Sequence, residues 1–334
     1  MISQLTIPVL IFLASAGVVI FCGTKLAEYG DALAELTGLG RLFVGSILVA
    51  LATSLPELAT NISAVTIVDP PNPALAIGNV FGANMINLFT FGAVALAFGG
   101  YTFLSKISPE QKYLVVLAII MTAIAILAVS IPTNISIFKI GLPAIIILVV
   151  YVLGMRYIYK KRPQEESSQN EQTVGTDLSL RKAWGLFGLV SIGVVIGGVF
   201  LAISTDQIAT ITGIASSTLG IIVVSIVTTM PEASATIAAA RIKAYDLGVA
   251  GLFGSCVFNV TIIGYTDIFY RDGLLTNQAQ PSHLIAGAIA VGLMLIGLIL
   301  IMWKSKLPKP VLVIGLISIV VIYIIGAVVI ATVG

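Results

Sequence analysis

Ten long stretches of this sequence carry almost no charge, and they restrict the possible folds more than any other feature. Each is long enough to cross the roughly 30 Å of hydrocarbon in a bilayer, which takes about 20 residues of helix. Only 10% of the residues are charged, against roughly 25% in a soluble domain. Backbone groups in lipid must be satisfied internally, which helices achieve and open strands do not. The sequence therefore predicts an all-α integral membrane protein with ten transmembrane helices. The predicted spans are 5–23, 42–68, 73–98, 113–131, 137–155, 184–203, 213–240, 246–266, 283–303 and 310–332.

A polar segment in the middle of the chain separates two groups of five spans. The segment from Lys160 to Lys182 contains Glu165, Glu166 and a run of serine, glutamine and asparagine. This composition is typical of a solvated linker. We therefore divide the chain into a first five-span repeat at 1–160, a linker at 161–182 and a second five-span repeat at 183–334.

The positions of lysine and arginine predict the orientation of the spans. If the N-terminus is outside, 15 of the 17 basic residues fall in cytoplasmic loops and only Lys139 and Arg271 lie outside. Cytoplasmic loops are normally enriched in basic residues. We expect a multi-pass protein of the cell membrane with both termini outside and the linker in the cytoplasm.

Two pairs of matching segments indicate an internal repeat. Residues 45–57 read GSILVALATSLPE and residues 220–232 read GIIVVSIVTTMPE. In the span that follows each of them, residues 81–87 read FGANMIN and residues 253–259 read FGSCVFN. Because each half has an odd number of spans, the second copy is inverted relative to the first. Inverted repeats with interrupted helices near the midplane are typical of secondary transporters.

The matching segments 45–57 and 220–232 end at Glu57 and Glu232, which lie deep in predicted spans. The other 13 of the 15 acidic residues lie in predicted loops or near span ends. A charge at the bilayer centre costs at least about 2.5 kcal/mol, so such a residue indicates function. No lysine or arginine lies in the central part of these spans. The counter-charge must then be a bound ion or a proton, and a protonated acid without a ligand role is the alternative.

Oxygen atoms are expected to surround both glutamates. Pro56 and Pro231 lack a backbone N–H, which frees the carbonyls four residues earlier, at Ala52 and Val227. Side chains on the same helix face and in the neighbouring span add hydroxyl and amide oxygens. Such hard ligands suit Ca2+ or Na+ rather than zinc or copper. These side chains are Thr53, Ser54, Thr228, Thr229, Asn87 and Asn259. For any one of them, an interhelical hydrogen bond is the alternative role.

Other polar features indicate neither catalysis nor a cofactor. The sequence has no HExxH motif, no Gly-x-Gly-Asp motif and no P-loop, so we expect neither an enzyme nor direct use of ATP. Cys22 and Cys256 are too few and too far apart for a disulfide framework. His283, the only histidine, is expected at the outer surface. Nothing indicates a nucleic-acid partner or an obligate protein partner.

The two matched segments resemble the alpha-repeats of the calcium/cation antiporter superfamily, most closely those of the prokaryotic sodium/calcium exchangers. The motifs cover about residues 45–87 and 220–259, while the ten-span layout covers the whole chain. The resemblance implies a diamond of ion sites between the second, third, seventh and eighth spans, with Glu57 and Glu232 as shared ligands. It adds Ser255 and the backbone carbonyls of Ala50 and Ser225 to the ligand set. It also implies that the first and sixth spans slide against this core.

Two positions depart from the sodium/calcium pattern. Ala83 stands where those exchangers usually place a serine, and Asn259 stands where they usually place an aspartate. Asn259 makes the repeats more alike, as in proton/calcium exchangers, although those generally lack the prolines seen here. Two ionised glutamates balance one Ca2+, two Na+ or two protons. Exchange of Ca2+ for Na+ is the leading hypothesis, and H+/Ca2+ exchange and a passive cation channel remain alternatives.

Overall fold

The protein is described here by a computed structural model that covers residues 2–37, 50–161 and 178–333. Nearly all of these residues are helical. The helices are α1 (Ile2–Thr37), α2 (Ala50–Thr53), α3 (Leu55–Thr66), α4 (Pro73–Ala97), α5 (Tyr101–Lys106), α6 (Gln111–Ser130), α7 (Leu142–Lys161), α8 (Leu180–Thr212), α9 (Ser216–Thr218), α10 (Ser225–Thr228), α11 (Met230–Arg241), α12 (Tyr245–Phe269), α13 (Pro281–Trp303) and α14 (Lys309–Val333). A π-helix at Leu219–Val224, a 3-10 turn at Leu275–Gln278 and the short strands β1 (Ser136–Ile137) and β2 (Ile140–Gly141) complete the described elements.

Eight helices in these ranges are long and apolar enough to cross a membrane, and a bent pair makes up to nine. The bent pair runs from Ser216 to Arg241 and turns by 42° at its break. Part of the predicted second span, 42–68, and most of the predicted linker, 161–182, lie outside the described residues. The element order is consistent with two repeats of five spans.

The first and sixth predicted spans are longer than the sequence indicated. Helix α1 has 36 residues and α8 has 33, which at about 1.5 Å per residue exceeds the bilayer core. The sequence predicts a loop after residue 23, but α1 continues to Thr37. Within this continuation, Lys25 Nζ forms a salt bridge of 2.6 Å with Glu28 Oε2. Charges three residues apart on one helix face support helix rather than ending it. Helix α8 ends where Gly213 takes a left-handed φ of 72°, a common helix stop.

Helices α4 and α12 are the most buried of the spans, and they form the centre of the molecule. Helix α4 packs against α12, α13 and α14, while α12 also packs against α6, α7 and α11. Helices α1 and α8 lie outside this centre and pack mainly against each other. The core therefore consists of the two helices that carry the second pair of matched segments.

The backbones of α4 and the π-helix approach closely. A Cβ on Gly82 would lie 2.7 Å from the carbonyl carbon of Ile221, and one on Gly78 would lie 2.7 Å from Ser217 O. A Cβ on Gly220 would lie 2.5 Å from Leu75 O. Side chains at these positions would collide with backbone, which cannot move aside cheaply. Glycine at position 82 therefore permits the close approach of α4 to Ile221.

The C-terminal end of α12 holds a third buried carboxylate. Asp267 is 1% exposed and accepts backbone hydrogen bonds from Gly141 N at 2.7 Å and Leu275 N at 2.6 Å. The sequence placed it near a span end, outside the deep pair of glutamates. Its two donors join the β1–β2 hairpin and the 3-10 turn to α12, so its role is structural.

The expectation that His283 lies on the surface is wrong. His283 is 0% exposed, and its Nδ1 accepts a hydrogen bond from Gln280 N at 2.8 Å. The Nε2–H then donates to Ala74 O at 3.0 Å, because the ring nitrogen facing an N–H must be the acceptor. The side chain joins the start of α13 to the start of α4, and the apolar span that follows it gave no sign of this burial.

Candidate cation site

Two nearly identical helix breaks position the glutamates. The helix stops at Ser54 (φ −89°, ψ 7°) in the first repeat and at Thr229 (φ −87°, ψ 1°) in the second. Pro56 and Pro231 then occupy the first turns of α3 and α11, where a missing N–H leaves no bond unmade. The glutamate that follows each proline is also in that first turn. The positive end of the helix dipole favours a carboxylate there.

The breaks bring side chains from both repeats together. The Ser54 hydroxyl donates to Glu232 Oε1 at 3.2 Å, across the repeat boundary. Thr53 Oγ1 lies 3.5 Å from Ser255 Oγ on α12. Glu57, three residues after Ser54, is 0% exposed, and Glu232 is 3% exposed. Three further predicted ligands, Thr53, Ser54 and Ser255, therefore lie with Glu57 and Glu232 in one buried cluster.

Several buried oxygen atoms in this region have no hydrogen-bond partner within the described ranges. They are both carboxylate oxygens of Glu57, Oε2 of Glu232, and the Oδ1 atoms of Asn87 and Asn259. Native structures satisfy the great majority of buried polar atoms, so these unpartnered oxygens require an explanation. All five are hard oxygen acceptors of the kind that Ca2+ and Na+ prefer.

The charge at the site is also unbalanced within the described part of the chain. The one salt bridge found there joins Lys25 to Glu28, both on the partly exposed segment of α1. No group of three or more His, Cys, Asp or Glu side chains is found there either, so a site for a soft metal is not indicated. Buried carboxylates without a basic partner need a proton or a metal cation. The donor set therefore fits a hard cation.

Asn259 is held in place by a chain of hydrogen bonds to α6. Its Nδ2 donates to Asn84 Oδ1 at 3.4 Å, and Asn84 Nδ2 donates to Thr122 Oγ1 at 3.3 Å. All three residues are fully buried. This arrangement uses the amide nitrogen of Asn259 and leaves its oxygen without a partner.

The remaining predicted ligands are bonded within their own elements or to α4. The Thr229 hydroxyl donates to Ser225 O at 2.7 Å, and Thr229 N donates to the same oxygen at 3.0 Å. Both lone pairs of the Ser225 carbonyl are used in this way. The Thr228 hydroxyl donates to Asn79 Oδ1 at 3.2 Å. Ala50 is the first residue of α2.

Three buried asparagines near the site were missed at the sequence level. Asn61, Asn79 and Asn84 are each at most 1% exposed, and each contacts a neighbouring helix. These three asparagines do not match between the repeats, because the register places Thr236, Gly251 and Cys256 opposite them. Their presence in apolar spans was the available signal, because polar side chains in lipid are expensive.

Comparisons with known proteins identify the family of the chain. The sequence model of the family described as "Sodium/calcium exchanger protein" matches residues 7–160 and 182–332. The inner membrane protein YrbG of Escherichia coli (strain K12) is 24% identical over 252 residues, which are 73% of this chain and 74% of that protein.

Solved structures show the same fold. The H+/Ca2+ exchanger CAX superposes with a TM-score of 0.68 at 15% identity, over 98% of this chain and 86% of that chain. The sodium-calcium exchanger NCX_Mj superposes with a TM-score of 0.58 at 16% identity, over 96% of this chain and 98% of that chain. YfkE superposes with a TM-score of 0.68 at 15% identity, over 98% and 92%. This membrane-spanning chain belongs to the sodium/calcium exchanger protein family.

Proposed function

We propose that this protein is a secondary antiporter that exchanges Ca2+ for Na+ by alternating access, at a site shared by Glu57 and Glu232. The observation that carries the proposal is the set of unpartnered oxygens on these glutamates and on Asn87 and Asn259. It supports cation binding because each atom is a hard acceptor in a buried place.

The charge balance of the site explains how binding of one cation can be coupled to exchange for another. Two ionised carboxylates require two positive charges before the site can cross the membrane without a large cost. One Ca2+ or two Na+ supply these two positive charges. A site with two ionised carboxylates and no bound cation lacks them. The protein would therefore change its facing direction only when loaded, which couples the two ion flows.

A difference between the repeats supports alternating access. The register that aligns the two glutamates also aligns Gly23 of α1 with Gly198 of α8. Gly23 packs against Pro231, while Gly198 packs against Ala59 and Thr60, where a Cβ would lie 2.9 Å from Ala59 Cβ and 3.1 Å from Thr60 N. The equivalent of Pro231 is Pro56, so the second contact is displaced by about one helical turn, roughly 5 Å. If each repeat adopted the glycine contact that the other repeat now has, α1 and α8 would each move along the core by about one helical turn.

Exchange of Ca2+ for protons is the second candidate. It is favoured by Ala83 and Asn259, which remove a hydroxyl and a carboxylate from the sodium exchanger pattern. Two carboxylates in low dielectric would accept two protons in place of one Ca2+. The residues present therefore fit either counter-ion, and the prolines before both glutamates favour sodium. A cation channel would use the same oxygens but would not move Ca2+ uphill.

The proposed setting is the cell membrane, with both termini outside and residues 161–182 in the cytoplasm. Fifteen of the 17 basic residues support this orientation. In it the repeats span residues 1–160 and 183–334 and are inverted, and the protein works without a cofactor.

The test is radioactive Ca2+ uptake into proteoliposomes that hold the full-length protein. One set receives an outward Na+ gradient and the other an outward proton gradient. Sodium/calcium exchange predicts uptake that follows the Na+ gradient and is unchanged by a protonophore. Uptake that needs only the proton gradient would establish the second candidate, and uptake that runs only downhill would establish a channel.

A further inference from the structure

The partners of two equivalent threonines differ between the repeats. The repeat register aligns Thr53 with Thr228, and it aligns Ser255 with Ala83. Thr53 Oγ1 lies 3.5 Å from Ser255 Oγ. Perfect symmetry would place Thr228 beside position 83, but the methyl group of Ala83 can neither donate nor accept a hydrogen bond. The second repeat therefore lacks the direct equivalent of the Thr53–Ser255 contact.

A buried chain of amides takes the place of that contact. The Thr228 hydroxyl donates to Asn79 Oδ1 at 3.2 Å, and Asn79 Nδ2 donates to Asn61 Oδ1 at 2.9 Å. Asn79 precedes Ala83 by four residues, so the two lie on the same face of α4, one turn apart. Thr228, Asn79 and Asn61 are each at most 1% exposed. The register gives Asn79 and Asn61 no amide counterpart in the other repeat, because Gly251 and Thr236 occupy those positions.

We infer that Asn79 is a positioning residue that turns Thr228 into a cation ligand and so compensates for Ala83. A hydroxyl binds a cation through its oxygen lone pairs, so its O–H must donate a hydrogen bond in another direction. Asn79 Oδ1 accepts that hydrogen bond, while the hydrogen bond from Asn79 Nδ2 to Asn61 fixes the orientation of the Asn79 amide. The lone pairs of Thr228 Oγ1 are left for an ion beside Glu57, which Thr228 adjoins. This inference rests on the proposed cation site and adds a residue to it.

Loss of Asn79 leaves Thr228 with two other acceptors. One is Ser225 O, which lies 3.4 Å away and already accepts two hydrogen bonds from Thr229, and the other is the Glu57 carboxylate. A hydroxyl that donates to Glu57 competes with the cation for the same oxygen. We therefore expect Asn79→Ala to raise the half-saturating Ca2+ concentration about 5- to 20-fold, which corresponds to about one buried hydrogen bond. The maximal exchange rate should change less than about twofold, because both glutamates remain.

A purely structural role for Asn79 predicts a different result. Asn79 joins α4 to α3 through Asn61, so its loss could simply loosen the helix packing. The rescue variant Asn79→Ala/Ala83→Ser separates the two roles. A serine at position 83 stands where Ser255 stands in the other repeat and offers Thr228 an acceptor. It does not restore the link to Asn61.

The experiment measures Ca2+ exchange kinetics of the full-length protein in proteoliposomes, together with its thermal midpoint. The variants are Asn79→Ala, Asn79→Ala/Ala83→Ser, Thr228→Val and Asn79→Ala/Thr228→Val. Ser282→Ala is the matched control, since it deletes a buried contact of 3.0 Å with Ser217 away from the cluster around Glu57 and Glu232. Positioning predicts that Ala83→Ser restores the half-saturating concentration to within about threefold of the wild type. It also predicts that Asn79→Ala adds nothing to Thr228→Val, because the two act as one unit.

The inference is overturned if Asn79→Ala lowers the thermal midpoint and leaves the half-saturating concentration unchanged. It is also overturned if Ala83→Ser fails to rescue, or if the effects of Asn79→Ala and Thr228→Val add. Glu57→Gln is included to separate this inference from the proposed function. If Glu57→Gln exchanges normally, the cation site is wrong and the inference fails with it. If Glu57→Gln is inactive while Asn79→Ala is normal, only the positioning role fails.

Discussion

Three carboxylates are fully buried in the described part of the chain, and their neighbours give them different roles. Asp267 accepts two backbone N–H bonds at 2.6–2.7 Å, which satisfy its charge within the fold. Within the described residues, neither carboxylate oxygen of Glu57 has a hydrogen-bond partner, and Glu232 Oε2 has none, while Glu232 Oε1 accepts from Ser54. Burial alone therefore does not identify a cation ligand. The proposal of a cation site at Glu57 and Glu232 rests instead on their carboxylate oxygens that lack a hydrogen-bond partner in the described residues.

The number of carboxylates at the site predicts how exchange responds to voltage. With two carboxylates, the Ca2+-loaded and the Na+-loaded or protonated site are both neutral, so the wild type should be electroneutral. A third carboxylate from Asn259→Asp would leave the Ca2+-loaded site with one negative charge, while three Na+ or three protons would neutralise it, so each cycle would move one net charge. Each net charge moved across 100 mV is worth about 2.3 kcal/mol, or about 50-fold in the Ca2+ gradient.

Uptake under an imposed potassium diffusion potential measures this effect. The wild-type Ca2+ gradient should be insensitive to the potential, and the gradient reached by Asn259→Asp should depend on it. A wild-type protein whose Ca2+ gradient follows the potential would contradict the count of two carboxylates.

At the scale of elements, the π-helix and α4 form a contact that tolerates no side chain at Gly82. We expect Gly82→Ala to destabilise the protein by about 1–3 kcal/mol, because the new methyl group would collide with the Ile221 carbonyl. A thermal unfolding scan in detergent measures the loss. Gly292→Ala on α13 is the control, since nothing lies within 4 Å of a Cβ there. Equal midpoints for the two variants would show that the close approach does not exist.

The contact between α8 and α3 predicts that a cross-link stops exchange. Ala59→Cys with Gly198→Cys, made in a Cys22→Ser background, places two thiols at a contact where the Cβ positions are 2.9 Å apart. If α8 slides along the core, oxidation should reduce exchange at least tenfold, and a reducing agent should restore it. Each single cysteine variant serves as its own control. Normal exchange by the fully oxidised pair would mean that α8 does not move against α3.

At the scale of the whole molecule, the sequence predicts the architecture better than the details of the site. Charge-poor runs identified the spans because lipid admits few charges and forces helices to form. The length of α1 was underestimated, since Lys25 and Glu28 resemble loop residues until their pairing on one helix face is seen.

The central glutamates could be predicted because their cost in the membrane makes them conspicuous. The network of Asn61, Asn79 and Thr228 could not, because its members lie on three separate helices. The π-helix at Leu219–Val224 has no distinct sequence signal either, as its apolar residues would also form an ordinary helix. These features depend on how the two repeats meet rather than on either repeat alone.

Replacement of each central glutamate tests the account most directly. Ca2+ uptake is measured with Glu57→Gln, Glu232→Gln and, as a control, Asp267→Asn, each purified and shown by gel filtration to be folded. The account predicts that both glutamine variants lose at least about 100-fold in exchange, because one buried charge that balances the cation is gone. Asp267→Asn should lower the thermal midpoint and keep its exchange rate per folded molecule. Normal exchange by either glutamine variant would contradict the shared site.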